Sequence, residues 1–425
     1  MLKIIPILII IIFVVMFISF KTTNQKPEEV INKVENSTIK KVLVDTSEDN
    51  KALGFSGQKK LVSDSKGNIF VAYRKKTNNY YEIFVAKLKK DGNSSHQVVF
   101  KKNVSNISNK ANQRVPSIAI DSKDNLHVVW YGADSNNTDG DREIKYSNSK
   151  DGGNSWSKAI NISFVEGFGG EILWQEHPDI LVGKDDSLFV VWEGKDKESS
   201  IQLIKFSKSK DGSNWTKWKD IKVAPNSESR PTIIQDKSGI IYVFMYSKND
   251  LNNSQIWYSI SQDSGENWSD WKNISNSSGD SRHLSATLDS QNNIHLVWRE
   301  LNQSSGKTQI AYSKFNGTIW SKSEIISQSN TFQFFPHIGI NLDDTLFISW
   351  LETANKSDFP GDDPAEGNSY LVLKKVNDSS FSKKLLIDSD SFFPNVISDS
   401  RSKSSFILYS TKEAELLIMF GVIDP

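Results

Sequence analysis

Compared with itself, the chain contains one segment written seven times. From Arg114 it reads RVPSIAIDSKDNLHVVWYG, from His177 HPDILVGKDDSLFVVWEG, and from Arg230 RPTIIQDKSGIIYVFMYS. Further copies start at Arg282 (RHLSATLDSQNNIHLVWRE), Phe335 (FPHIGINLDDTLFISWLE) and Phe393 (FPNVISDSRSKSSFILYS), and an earlier one at Gln58 (QKKLVSDSKGNIFVAYRK). Aligned on Pro116, Pro178, Pro231, Leu284, Pro336 and Pro394, the last six are spaced by 62, 53, 53, 52 and 58 residues. A period of this length marks one supersecondary unit per copy, whose apolar faces are buried only when neighbouring copies stack.

Each copy has the same grammar: a short β-branched run, a polar Asp/Gly/Asn turn, a strand ending in an aromatic, a loop, and a third strand such as EIKYSNS or QIWYSIS. Segments such as KAINIS, WKDIKV and WKNIS supply a fourth strand to most copies. Four antiparallel strands repeated in this way predict an all-β fold, a seven-bladed β-propeller, with six blades as the runner-up. The seventh copy supplies three strands, the last from Glu415 to Ile423. Near the start, IKKVLVD (Ile39 to Asp45) matches KKLLID (Lys383 to Asp388), a fourth strand of the sixth copy. The N-terminal strand is therefore expected to complete the last blade and remove an open sheet edge.

Composition narrows the function. Basic and acidic residues balance at 51 each, which argues against a nucleic-acid partner. With no Cys, the chain has no disulfide framework, thiolate zinc site, iron–sulfur centre or thiol nucleophile. Ile4 to Phe20 is an uncharged run, apolar apart from Ser19 and flanked by Lys3 and Lys21, at the short end of a bilayer-spanning helix. It closes on Phe17, Ile18, Ser19 and Phe20, where a cleavable signal needs small residues. Residues 1–21 are accordingly read as a membrane anchor, with a cleaved signal and secretion as the alternative. Residues 22–37 are read as a polar linker and 38–425 as the propeller. Fifteen Asn-x-Ser/Thr sequons stand against roughly six expected by chance. The excess favours an extracytoplasmic, glycosylated domain, although Asn161 and Asn273 sit in repeated NIS segments that copy sequons without any glycan.

Between the third and fourth strands, three copies carry Ser149 to Trp156 (SKDGGNSW), Ser209 to Trp215 (SKDGSNW) and Ser261 to Trp268 (SQDSGENW). They resemble the Asp-boxes, or BNR repeats, of the sialidase (neuraminidase) superfamily of propellers; the second is one residue short. The turn explains its own residues: the Asp accepts turn amides, Gly takes positive φ, and the Trp packs between blades. Asp151, Trp156, Asp211, Trp215, Asp263 and Trp268 are thus assigned structural roles, and the resemblance places them opposite the functional face.

On that other face, formed by the links between blades and the loops between second and third strands, Arg114, Arg230 and Arg282 are read as occupying one repeat position. Arg114-Val115-Pro116 resembles the Arg-Ile-Pro motif from which sialidases take one substrate-gripping arginine. Guanidinium presents a bidentate fork to a carboxylate. His177, Trp174 and Asp134 join them as candidate ligand-binding residues, Trp174 as a sugar-stacking platform beside Glu176. No Tyr nucleophile with a Glu partner maps onto the chain: Tyr246 and Tyr409 are read in slots where other copies put a core Trp. The acidic loops 134–141 and 358–366 hold enough oxygen ligands for calcium but lack the spacing of a known loop, so no cofactor is expected. The expectation is an extracytoplasmic propeller binding a glycan or a cell-surface protein; a sialidase-like hydrolase and a structural envelope protein are the alternatives.

Overall fold

The computed structural model describes residues 40–46, 51–54, 57–91, 95–106, 111–133, 142–163, 174–196, 201–223, 226–327, 329–354, 367–397 and 404–421. The apolar run at Ile4–Phe20, the linker and both acidic loops, including Asp134, lie outside them. Among the described residues no helix is long and apolar enough to cross a membrane.

The described residues form seven antiparallel four-stranded sheets. In chain order these are blade 1 (61–103), blade 2 (113–161), blade 3 (175–220), blade 4 (228–273), blade 5 (281–325), blade 6 (332–388) and blade 7 (391–421 with 40–46). The count is seven, not six. Blade 7 takes Ser391–Val396, Ser405–Thr411 and Glu415–Gly421 from the end of the chain and Lys40–Thr46 from its start, paired from Lys40 opposite Phe420 to Thr46 opposite Glu415. The expected closure is therefore present.

Apolar residues of adjacent blades merge into shared clusters. One joins Val115, Val129 and Tyr146 of blade 2 to Ile180, Val190 and Trp192 of blade 3, and the next joins Phe189 and Phe206 of blade 3 to Ile233 and Met245 of blade 4. Second strands carry Trp130, Trp192, Trp298 and Trp350, all with no exposed surface. The indole of Trp130 donates to Gln113 Oε1 (2.8 Å) and that of Trp192 to Gln175 Oε1 (2.7 Å). Gly132 and Gly194 leave room for those amides, since a Cβ would come within 2.1 and 2.0 Å of the same oxygens.

Six first strands carry a β-bulge just before or at the repeat proline. The bulged residues Val115, His177, Arg230, His283, Phe335 and Phe393 all have φ between 48° and 53°. Side chains rarely tolerate this region, least of all a β-branched one. At the opposite end, turns between first and second strands hold the next blade: Ser65 N and Oγ donate to Asp124 (2.9 and 2.5 Å), Ser122 N and Oγ to Asp186 (3.0 and 2.6 Å), and Lys237 N to Asn292 Oδ1 (2.7 Å).

The link from the closing strand to blade 1 runs inward. Ala52 O accepts Arg74 N (2.7 Å), Leu53 packs among Phe334, Phe335, Phe392 and Phe393, and Gly54 faces Val115.

Candidate functional site

First strands begin, and second strands end, at one end of the propeller, called here the link end; the boxes lie at the other. Six of the seven arginines in the sequence are at the link end. Arg114 and Arg282 start first strands, opposite Tyr131 and Arg299 of the second strands. Arg74 follows the core aromatic Tyr73, Arg142 precedes a third strand, and Arg230 is a bulged residue. Arg74, Arg230 and Arg299 are buried, whereas Arg114, Arg142 and Arg282 are partly exposed. These last three retain solvent-accessible surface.

Aromatic rings accompany the guanidinium groups. Tyr81 has Arg74 Cζ 4.3 Å and Arg114 Cζ 5.6 Å from its centroid. Trp174, 44% exposed, has Arg142 Cζ at 4.5 Å, and Tyr246 has Arg282 Cζ at 5.9 Å. A cation held over a ring face is attracted by the quadrupole, which keeps the guanidinium plane oriented. Arg282 also binds Asp280 (Nε–Oδ2, 2.7 Å). Beside Tyr81 a cleft of about 510 Å³ is lined by residues including Thr77, Tyr80, Glu82 and Gln113.

Blade 3 contributes a second group. His177 Nδ1 lies 2.5 Å from Glu193 Oε1, and the other oxygen of Glu193 accepts the Arg230 backbone N–H. Glu176 pairs with Arg142. The Arg230 guanidinium contacts His283 Nε2 at 2.8 Å. Glu176, His177 and Glu193 each offer a donor atom within 4.8 Å of the others and form the described grouping able to hold a metal ion. Their existing partners make a hydrogen-bonded chain across blades 2 to 4 the function their geometry performs as it stands.

Two sequence readings need correction. Arg230 is not equivalent to Arg114 and Arg282: it is the bulged residue itself, aligned with Val115 and His283, while Ser229 occupies the arginine position opposite Tyr246. Tyr246 is likewise not in the core Trp slot, which Met245 fills; Tyr246 aligns with Tyr131 and Glu193. Tyr409 does occupy that slot, fully buried, its hydroxyl donating to Asp388 Oδ2 at 2.8 Å. Arg74, Tyr81, Arg142, Glu193 and Arg299 were not singled out from sequence. A usable signal existed: in blades 1 to 5 the column after the core slot reads Arg74, Tyr131, Glu193, Tyr246 and Arg299, polar or amphipathic where blade 6 continues apolar with Leu351.

The boxes form turns at the far end. Asp151 accepts Ser155 N (2.9 Å) and Oγ (2.6 Å), Asp211 accepts Asn214 N (2.8 Å), and Asp263 accepts Asn267 N (2.8 Å). The Ser155 hydroxyl and amide hold the Asp151 carboxyl down at about 2, and the Asn214 and Asn267 amides push Asp211 and Asp263 well below the usual carboxylate range. Trp215 packs edge-on against Tyr146 of the preceding blade (5.0 Å) and Trp268 against Phe206 (5.3 Å).

Seven blades, box turns at one end and arginines at the other define a propeller of the Asp-box, sialidase-like class. Residues 69–382 match the family described as a BNR repeat-like domain, and the chain belongs to that family. No curated protein matches it significantly in sequence. Among solved structures, an ulvan lyase from a polysaccharide lyase family, bound to -[GlcA(1-4)Rha3S]-, is similar with a TM-score of 0.61 and 12% identity over 90% of this chain and 96% of that one. The leech intramolecular trans-sialidase gives 0.51 and 11% over 92% of each chain. The NanB sialidase of Streptococcus pneumoniae gives 0.50 and 11% over 91% of this chain and 93% of that one. At these identities the likeness is one of fold.

Proposed function

We propose that the protein is an extracytoplasmic propeller, held at the membrane by its N-terminal apolar segment, that binds an acidic glycan across the link end. The observation that carries this reading is the gathering of six arginines at one end of an otherwise lysine-rich chain, next to the rings of Tyr81, Trp174 and Tyr246. Guanidinium forks suit carboxylate and sulfate groups, and an aromatic face beside them suits the apolar face of a sugar. The uronate- and sulfate-bearing glycan bound to the ulvan lyase, and the sialidases of similar fold, support the same ligand class. A cell-surface protein is the other ligand the notched, charged rim would serve.

Binding to an array of acidic and neutral glycans, with a fluorogenic sialoside assayed alongside, tests the reading. Acidic glycans should be retained and neutral ones not. Arg114→Ala should weaken retention by about tenfold to a hundredfold, the worth of a charge-assisted hydrogen bond. Equal retention of neutral and acidic glycans would sink the proposal, and sialoside turnover abolished by Arg114→Ala would replace it with a hydrolase.

A further inference from the structure

We propose that the axis of the propeller is a binding site for a small monovalent anion of the halide type, held by Lys60, Gln58 and His337. The segment Gly57 to Lys60 touches too many blades to lie anywhere but the axis. Lys60 Nζ donates to the Pro116 carbonyl of blade 2. Lys59 Nζ reaches Asp179 Oδ2 of blade 3 (2.8 Å) and the Ile233 carbonyl of blade 4 (3.1 Å). Thr232 Oγ1 of blade 4 lies 3.1 Å from Gly57 O, and a Cβ on Gly57 would sit 3.2 Å from the Leu284 carbonyl of blade 5.

Charge does not balance here. Asp179, with no exposed surface, is already saturated: it accepts Lys59, Ser117 Oγ (2.7 Å), Thr232 Oγ1 (2.9 Å) and the amides of Ile180 (3.1 Å) and Ile233 (3.0 Å). Lys60 is also fully buried, and its ammonium donates to the neutral Pro116 carbonyl. Burial, partly opposed by Asp179 and reinforced by Arg74, pushes its ammonium down to about 7. An ammonium taken out of water needs a counter-charge or becomes neutral.

The remaining polar atoms face the same need. Gln58 is fully buried, with neither amide atom hydrogen-bonded. His337 is 6% exposed, and burial followed by the fields of Lys60 and Lys59 pushes its imidazole down to about 3. Its Nδ1 accepts Val396 N–H (3.3 Å), so the neutral ring carries its proton on Nε2. That Nε2–H lies near the Gln58 backbone without a hydrogen bond of good geometry. Ammonium, amide NH₂ and imidazole N–H are all donors, which is the ligand set of an anion; a metal cation would face two lysines. The two unbonded acceptors, Gln58 Oε1 and Asn395 Oδ1, suit accompanying water. This site is independent of the glycan reading of the link end.

The test uses the full-length protein in detergent. Crystals grown in bromide should show an anomalous peak within about 3.5 Å of Lys60 Nζ; water alone at the axis overturns the proposal. At pH 6, replacing isethionate by 100 mM chloride at matched ionic strength should raise the melting temperature by about 1–3 °C, the linkage expected of a ligand that binds only the folded state. Identical melting in the two salts overturns it. Lys60→Met should abolish the chloride effect, and a Lys60→Met protein that retains it overturns the assignment of Lys60. If that variant does not fold, the bromide and wild-type arms decide the matter.

Discussion

Gly194 illustrates how single residues hold a blade together. A methyl group there would meet the Gln175 amide that holds the Trp192 indole. Gly194→Ala should therefore cost about 1–3 kcal/mol through overpacking, read as a lower urea midpoint at unchanged slope; an unchanged midpoint would refute the packing account. Asp289 makes a pH prediction. Its burial acts to raise the carboxyl, but hydrogen bonds from His295 (3.1 Å) and Asn293 (2.7 Å) outweigh it and hold the group at about 2. A carboxyl depressed in the folded state contributes stability above its unfolded value, and that contribution is lost as pH falls from about 4 to 2. Asp289→Asn should flatten this acid limb in thermal melts, and a limb of unchanged steepness would show that the carboxylate does not contribute. Residue scale is also where sequence reading failed. At each bulge two consecutive residues stand before one partner, and Arg230 is one residue before its proline where Arg114 is two before its own. A slip of one residue in a strand moves a side chain to the other face, so Arg230 and Arg114 are not equivalent although both precede a repeat proline, and Tyr246, one residue beyond Met245, leaves the core slot.

At the scale of elements, most of the fold was legible because its signals are local. Strand alternation, Asp/Gly/Asn turns and box motifs recur within each copy, and even the shortened box at Ser209–Trp215 makes the same indole bond, Trp215 Nε1 to Gly212 O (3.2 Å), that Trp156 makes to Gly153 O (3.2 Å). The closing strand was legible through its likeness to a fourth strand, and it carries a prediction. Val44 within it is 1% exposed. Val44→Asp places an unpaired charge in that interface and should destabilise the protein by about 3 kcal/mol or more, with faster proteolysis of residues 391–421 than of blades 3 to 5. Uniform proteolysis along the chain would contradict the role of this strand in holding blade 7.

At the scale of the whole molecule, the zero net charge conceals a polar arrangement, with arginines gathered at one end and exposed carboxylates at the box turns. Association with an acidic glycan should therefore weaken as salt rises from 50 to 500 mM, because exposed charge pairs are screened over about a Debye length; a salt-independent affinity would point to aromatic contacts alone. The blade number was legible in the period, whereas the occupied axis was not, since Gln58, Lys59 and Lys60 read as an ordinary polar lead-in to a strand.

The pairing of Lys40–Thr46 with Glu415–Gly421 sets an order of events during synthesis. The strand Lys40–Thr46 has no partner until Glu415–Gly421 has been made. In the interval blade 1 can fold on blade 2, and so on round the ring, while an unpaired strand at one end and an unmatched apolar face at the other remain open to pairing with other chains. Joining strands whose paired residues lie 369 (Thr46 to Glu415) to 380 (Lys40 to Phe420) apart in sequence makes the final step slow relative to the assembly of any one blade. The yield of folded protein should thus be limited by how long the two ends stay apart, and a chain released just short of Glu415 should aggregate although six of its blades are complete.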